Sequence, residues 1–145
     1  ELAVVLARRI KNASVEEARE AILGFTCAND VTARDIQRSE KQFTRAKGFD
    51  TFCPLGPYLV RERPADESRV RVRVNGEQRQ LGLLGDMVHG IDALLSFVSH
   101  VMTLEPFDVL LTGTPEGVGP IAQGDVIEVE IDGVGLLQNG VRAAG

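Results

Sequence analysis

The side chains able to do chemistry crowd into one stretch, Gly24 to Pro57, which reads G-F-T-C-A-N-D-V-T-A-R-D-I-Q-R-S-E-K-Q-F-T-R-A-K-G-F-D-T-F-C-P-L-G-P. Asp30, Arg34, Asp35, Gln37 and Lys47 sit there among small and turn-forming residues, and the stretch follows neither a 3.6-residue nor a 2-residue period. Local rules relaxed around this much polar chemistry mark a candidate active-site segment. Asp30 is a potential ligand for a hard divalent cation, and Glu1 offers a second carboxylate, since such ions take oxygen donors and complete their shell with water. The simpler reading of a lone Asp is a cap or a turn. Lys47, flanked by Ala46, Gly48 and Phe49, could steer an anion or titrate near neutrality; otherwise it is an exposed loop-tip lysine. Arg34 could clamp a carboxylate, either a substrate's or that of Asp35.

A second candidate is the glycine-rich run T-G-T-P-E-G-V-G-P from Thr112 to Pro120. It matches neither the P-loop nor the dinucleotide fingerprint, yet its place after a short apolar run suits a loop bringing N–H groups and the Thr114 hydroxyl to an anion. A serine hydrolase is unsupported, because no G-x-S-x-G is present and none of the serines has a His–acid context. Cys27 and Cys53 lack zinc-ligand spacing and read as two reduced, packed thiols of a cytoplasmic protein. His89 and His100 have no ligand companions and read as surface or hydrogen-bonded histidines.

The elements that must hold these residues follow from patterning. Leu2 to Ala7 is a buried strand. Ser14-Val-Glu-Glu17 is a capping box opening a helix that stops at Gly24. Val70, Val72 and Val74 alternate with Arg69, Arg71 and Arg73, and Asn75-Gly76 turns that strand into a hairpin with Glu77 to Gln80. Asp86 to Met102 is a second helix, with Met87, Ile91, Leu94, Leu95, Val98, Val101 and Met102 on its apolar face. Val109–Leu111, Val126–Ile131 and Val134–Leu137 supply further strands. With about seven short strands to two helices, the fold class is a β-rich α+β domain.

The chain has 145 residues, enough for one domain with a full core, and a net charge of -5 that argues against a nucleic-acid partner. The basic residues Arg61 to Arg79 and the acidic Asp125, Glu128, Glu130 and Asp132 read as strand faces that meet each other. No membrane span is expected. The chain opens at Glu1 inside a strand-like run, so the single catalytic domain, residues 1–145, is expected to lack its N-terminal part.

Taken together, E-L-A-V-V, G-F-T-C-A-N-D-V-T-A-R-D-I-Q, A-K-G-F-D-T-F-C-P-L-G-P, V-N-G-E-Q-R-Q, D-M and L-T-G-T-P-E-G-V-G-P, in this order, closely resemble the fumarylacetoacetate hydrolase family. The resemblance implies a roll of mixed β-sheets, a homodimer, and Mg²⁺ or Mn²⁺ held by a Glu-x-Glu pair and an Asp. It places the metal ligands at Glu1 and Asp30, the first Glu of the pair falling two positions upstream of Glu1. It matches Lys47 to the catalytic-region lysine, Arg34 and Gln37 to substrate contacts, and Thr114 to the threonine on the substrate carboxylate. Phe107 departs from the pattern, standing where the family usually has Gly. The implied activity is hydrolysis of a C–C bond in an acylpyruvate-type 2-oxo acid through an enolate. The alternatives are isomerisation or decarboxylation of hydroxymuconate-type diacids in aromatic catabolism and, from another class, a catalytically inactive binding module.

Overall fold

The computed structural model describes residues 1–143. In chain order the strands are β1 (Leu2–Leu6), β2 (Ile22–Ala28), β3 (Leu55–Val60), β4 (Arg69–Val74), β5 (Glu77–Leu83), β6 (Val109–Leu111), β7 (Val126–Ile131) and β8 (Gly135–Gly140). The helices are α1 (Val15–Glu20), α2 (Arg34–Ser39), α3 (Thr44–Lys47) and α4 (Ile91–Val101), with a 3-10 turn at Leu84–Asp86. The β-rich α+β class holds, with two short helices beyond the two expected. Two four-stranded sheets form, ordered β3-β2-β1-β6 and β5-β4-β7-β8. Every strand pair among the described residues is antiparallel, so the mixed pairing implied by the resemblance is not found.

The core lies between the sheets. β1 is buried on both faces, which is why its sequence is a continuous apolar run without alternation. Leu2, Val4 and Leu6 pack with Phe25 and Cys27 of β2, with Val70 and Val72 of β4 and with Ile127, Val129 and Ile131 of β7. Leu95 of α4, fully buried, and Ala18 of α1 close one end.

Local signals hold where the chemistry is local. Ser14 Oγ accepts from the Glu17 N–H at 3.2 Å while the Ser14 N–H donates to Glu17 Oε2 at 2.8 Å. Asn75 and Gly76 take φ of 54° and 78°, the left-handed pair of a type I′ hairpin turn. The basic and acidic strand faces do meet. Register sets Arg71 opposite Glu130 and Arg73 opposite Glu128, and Arg71 Nη2 reaches Asp132 Oδ1 at 2.6 Å while Arg73 Nη1 reaches Glu130 Oε2 at 2.8 Å.

Three expectations are corrected. Helix α1 ends at Glu20, and Gly24 lies inside β2. The glycine is there for close packing, because a Cβ on it would lie 2.5 Å from the Val60 oxygen of β3. The second helix begins at Ile91, after Gly90, rather than at Asp86; Val101 and Met102 point outward, 64% and 55% exposed. Finally, Gly24 to Pro57 is more regular than its sequence suggests, holding most of β2, all of α2 and α3, and the start of β3. Neither α2 nor α3 has a side-chain N-cap, so neither carries a start signal in the sequence.

Candidate active site

Antiparallel pairing brings the start of β1, the end of β2 and the end of β6 to one edge of the first sheet. Glu1 extends the β1–β2 ladder: its nitrogen donates to the Ala28 oxygen at 2.7 Å, and the Ala28 N–H donates back to the Glu1 oxygen at 2.9 Å. Asp30 follows two residues later. On the other side of β1, Thr112 donates to the Leu2 oxygen from its N–H at 3.1 Å and from its hydroxyl at 2.9 Å. The next residue, Gly113, donates its N–H to Glu1 Oε2 at 2.9 Å. The Glu1 carboxylate, in a residue only 8% exposed, is thereby held by the loop that carries Thr114.

Lys47 arrives from α3. The Ala33 N–H donates to the Ala46 oxygen at 2.9 Å, fastening the lead into α2 against α3, and Lys47 Nζ forms an ion pair with Asp30 Oδ2. Both side chains are partly buried, Asp30 the more so. Cys53 shares the neighbourhood. Burial pushes its thiol up, the charges of Asp30 and Glu1 push the same way, and Lys47 opposes them. Cys53 is the side chain that the sequence did not assign to this group, and its left-handed φ of 70° is the only local sign of it.

Arg34 and Gln37 stand one turn apart on α2, and Arg34 Nη1 donates to Gln37 Oε1 at 2.7 Å. The alternative Arg34–Asp35 ion pair does not form, because adjacent residues on a helix point apart. No hydrogen bond joins the Arg34–Gln37 pair to Asp30 or Lys47 among the described residues. Thr114 is exposed, and its Oγ1 accepts from Gln80 Nε2 of β5 at 2.8 Å. Gln80 ends the V-N-G-E-Q-R-Q motif, but no role of its own could be read for it from the sequence. His89 and His100 are both exposed, with His100 Nδ1 2.8 Å from the Ser96 oxygen of its own helix.

The donor set fits a hard divalent ion. Glu1 and Asp30 offer carboxylate oxygens, and Mg²⁺ commonly takes one or two carboxylates with water and substrate filling the rest. No cluster of three or more His, Cys, Asp or Glu side chains suited to a metal forms among the described residues, so Glu1 and Asp30 are the two carboxylates they offer at this site. One of the two Asp30 oxygens, Oδ2, already meets Lys47 Nζ.

Residues 1–142 match the model of the fumarylacetoacetate (FAA) hydrolase C-terminal domain. The crystal structure of 5-carboxymethyl-2-hydroxymuconate delta-isomerase from Mycobacterium smegmatis superposes with a TM-score of 0.97 at 48% identity, covering 100% of this chain and 58% of that one. A fumarylacetoacetate hydrolase from the psychrophile Exiguobacterium antarcticum gives 0.92 at 44% identity, covering 99% and 55%. Oxaloacetate tautomerase YisK of Bacillus subtilis is 43% identical over 149 residues, covering 96% of this chain and 50% of its own length. The chain spans between about half and three-fifths of the length of such relatives. No helix among the described residues is long and apolar enough to cross a membrane.

Proposed function

The chain belongs to the fumarylacetoacetate hydrolase family, and we propose that it forms the carboxylate–lysine site of a divalent-metal-dependent enzyme that enolises a 2-oxo acid or diacid. The observation that carries this reading is the Asp30–Lys47 ion pair at the sheet edge where Glu1 and the Thr114 loop are also held. Glu1 and Asp30 would hold Mg²⁺ or Mn²⁺, which when bound supplies Lewis acidity toward a carboxylate and an adjacent carbonyl oxygen.

The chain's own residues do the rest. Lys47 has three N–H donors, and one engages Asp30. The others can meet an oxygen on which negative charge develops, and donors fixed in this way stabilise the charge of the transition state. Arg34 uses Nη1 on Gln37 and keeps the rest of its fork for a substrate carboxylate. The Thr114 hydroxyl, fixed by Gln80, can donate to the same class of group.

In isomerisation or tautomerisation the carbon beside the carbonyl gives up a proton to a base or to water, and a proton returns at another atom. Relatives with those activities, an isomerase at 48% and a tautomerase at 43% identity, support this over the other fates of an enolate. C–C hydrolysis of an acylpyruvate is the second reading, favoured by the hydrolase at 44% identity. It also needs a base to activate the attacking water. Decarboxylation would share the same enolate. A homodimer belongs to this reading too, and sedimentation velocity decides it.

Proton NMR in D₂O with Mg²⁺ separates the reactions. With oxaloacetate, accelerated deuterium uptake at C3 without loss of carbon is expected. Cleavage of an acylpyruvate to two acids, with no such exchange, would replace enolisation by hydrolysis. Neither event would overturn the enzyme reading and leave a binding role.

A further inference from the structure

Gln80 lies on β5, an edge strand of the second sheet, opposite Val72 of β4. It is 8% exposed, and its side chain has left its own sheet to hold the loop that follows β6 in the other one. Nε2 donates to Thr114 Oγ1 at 2.8 Å and to the Pro115 oxygen at 2.5 Å, with the Glu116 oxygen at 3.5 Å. Two of these partners are carbonyls, which only accept, so the amide must turn its nitrogen toward the loop. Thr114 Oγ1 therefore receives a proton from Gln80. A hydroxyl has one proton of its own, and here it is left to donate away from Gln80.

The rest of the loop is seated with the same closeness. Gly117 has φ 101°, and a Cβ there would run into the Arg79 oxygen of β5. A Cβ on Gly82 would come within 2.9 Å of Pro115 Cβ. At its other end the loop donates from Gly113 to Glu1 on β1. The segment is thus held by both sheets, and Thr114 is one of several exposed residues along it.

We propose that Gln80 is a positioning residue that fixes the Thr114 hydroxyl as a hydrogen-bond donor, so that the site selects a substrate bearing an ionised carboxylate over the same molecule bearing a primary amide there. A carboxylate gives this donor a charged acceptor, whereas a primary amide gives it only a neutral carbonyl oxygen and makes a weaker hydrogen bond. The inference rests on the reading of Thr114 as a substrate contact. Gln80 acts through Thr114 and touches no reacting atom.

The test compares Gln80→Met, Gln80→Glu, Thr114→Val and Thr114→Ser in the protein with Mg²⁺, using oxaloacetate and its monoamides. Gln80→Met and Thr114→Val should each raise KM for the diacid about tenfold with kcat changed less than about threefold, and should narrow the diacid-to-amide preference. Their combination should cost little more than either alone, since both remove one donor. Thr114→Ser, which keeps the hydroxyl, should raise KM less than Thr114→Val does. Gln80→Glu, which accepts the Thr114 proton, should be at least as damaging as Gln80→Met. Unchanged KM in Gln80→Met, fully multiplicative effects in the double variant, or a KM in Thr114→Ser as high as in Thr114→Val would overturn the proposal. If the wild-type protein turns over neither compound, the proposed function fails instead. Hydrogen exchange of residues 113–119 then decides the clamp: exchange about tenfold faster in Gln80→Met upholds it, and unchanged exchange removes it.

Discussion

The ammonium of Lys47 meets the carboxylate of Asp30 across 17 residues of chain that contain all of α2. The side chains are 35% and 21% exposed, so solvent screens the pair and it contributes on the order of 1 kcal/mol or less to stability. Its value lies in placing a cation beside a candidate metal ligand. Asp30→Asn should lose Mg²⁺ binding by calorimetry and lower turnover at least about a hundredfold. Lys47→Met should lower turnover similarly yet bind Mg²⁺ at least as tightly, because the competing cation is gone.

Phe107 stands in the left-handed region, with φ 70° and 74% of its surface exposed. Pro106 precedes it, and the Asp108 N–H donates to the Glu105 oxygen at 3.1 Å, closing a turn of type II, whose third position favours Gly. A non-glycine residue there costs about 1–2 kcal/mol, and the exposed ring recovers little of that by packing. Phe107→Gly should raise the urea midpoint by an amount equivalent to about 1 kcal/mol or somewhat less, since Gly adds entropy to the unfolded chain. Turnover should stay within about twofold, as Phe107 touches none of the site residues.

Asp92 is the chain's buried charge junction. Its side chain is 8% exposed and receives Arg19 Nε at 2.7 Å and the Arg63 guanidinium, which also lies over the Phe25 ring. Asp92→Ala should cost about 1–2 kcal/mol in urea denaturation, because it removes the charge-assisted hydrogen bonds of two partly exposed arginines. Arg19→Ala, at a side chain 67% exposed, should cost under about 1 kcal/mol.

Cys27 gives a pH signature. Burial raises its thiol above the ordinary value of 9.0, and its Sγ lies 3.3 Å from the Gly135 oxygen. The folded chain keeps this proton where the unfolded chain releases it, so stability is intact below the ordinary thiol value and falls as pH rises beyond it. Stability profiles above about pH 9 should slope less steeply in Cys27→Ala, although that variant is less stable throughout.

What the sequence reveals and conceals divides by the range of the interactions. The Ser14–Glu17 box, the Asn75-Gly76 turn and the alternation of β4 and β7 are settled by neighbours in sequence, and all appear as expected. Gly24 misleads because its reason is tertiary: β3 crowds β2 at that point. The short helices α2 and α3 escape notice because they lack side-chain caps and gain their place from each other. In the site, Asp30 and Lys47 stood out as polar residues of one stretch, but their nearness to each other could not be read from spacing. The role of Gln80 was hidden, because it follows three other polar residues in β5 and its partners lie 34 to 36 positions away.

The central claim is that Glu1, Asp30 and Lys47 make a metal-dependent enolising site. Deuterium uptake at C3 of oxaloacetate, followed by NMR with Mg²⁺, with EDTA and in Asp30→Asn, tests it directly. The account predicts rapid uptake with Mg²⁺, and background rates with EDTA or in a folded Asp30→Asn variant. Equal uptake in all three conditions, or none above background in any, would contradict it.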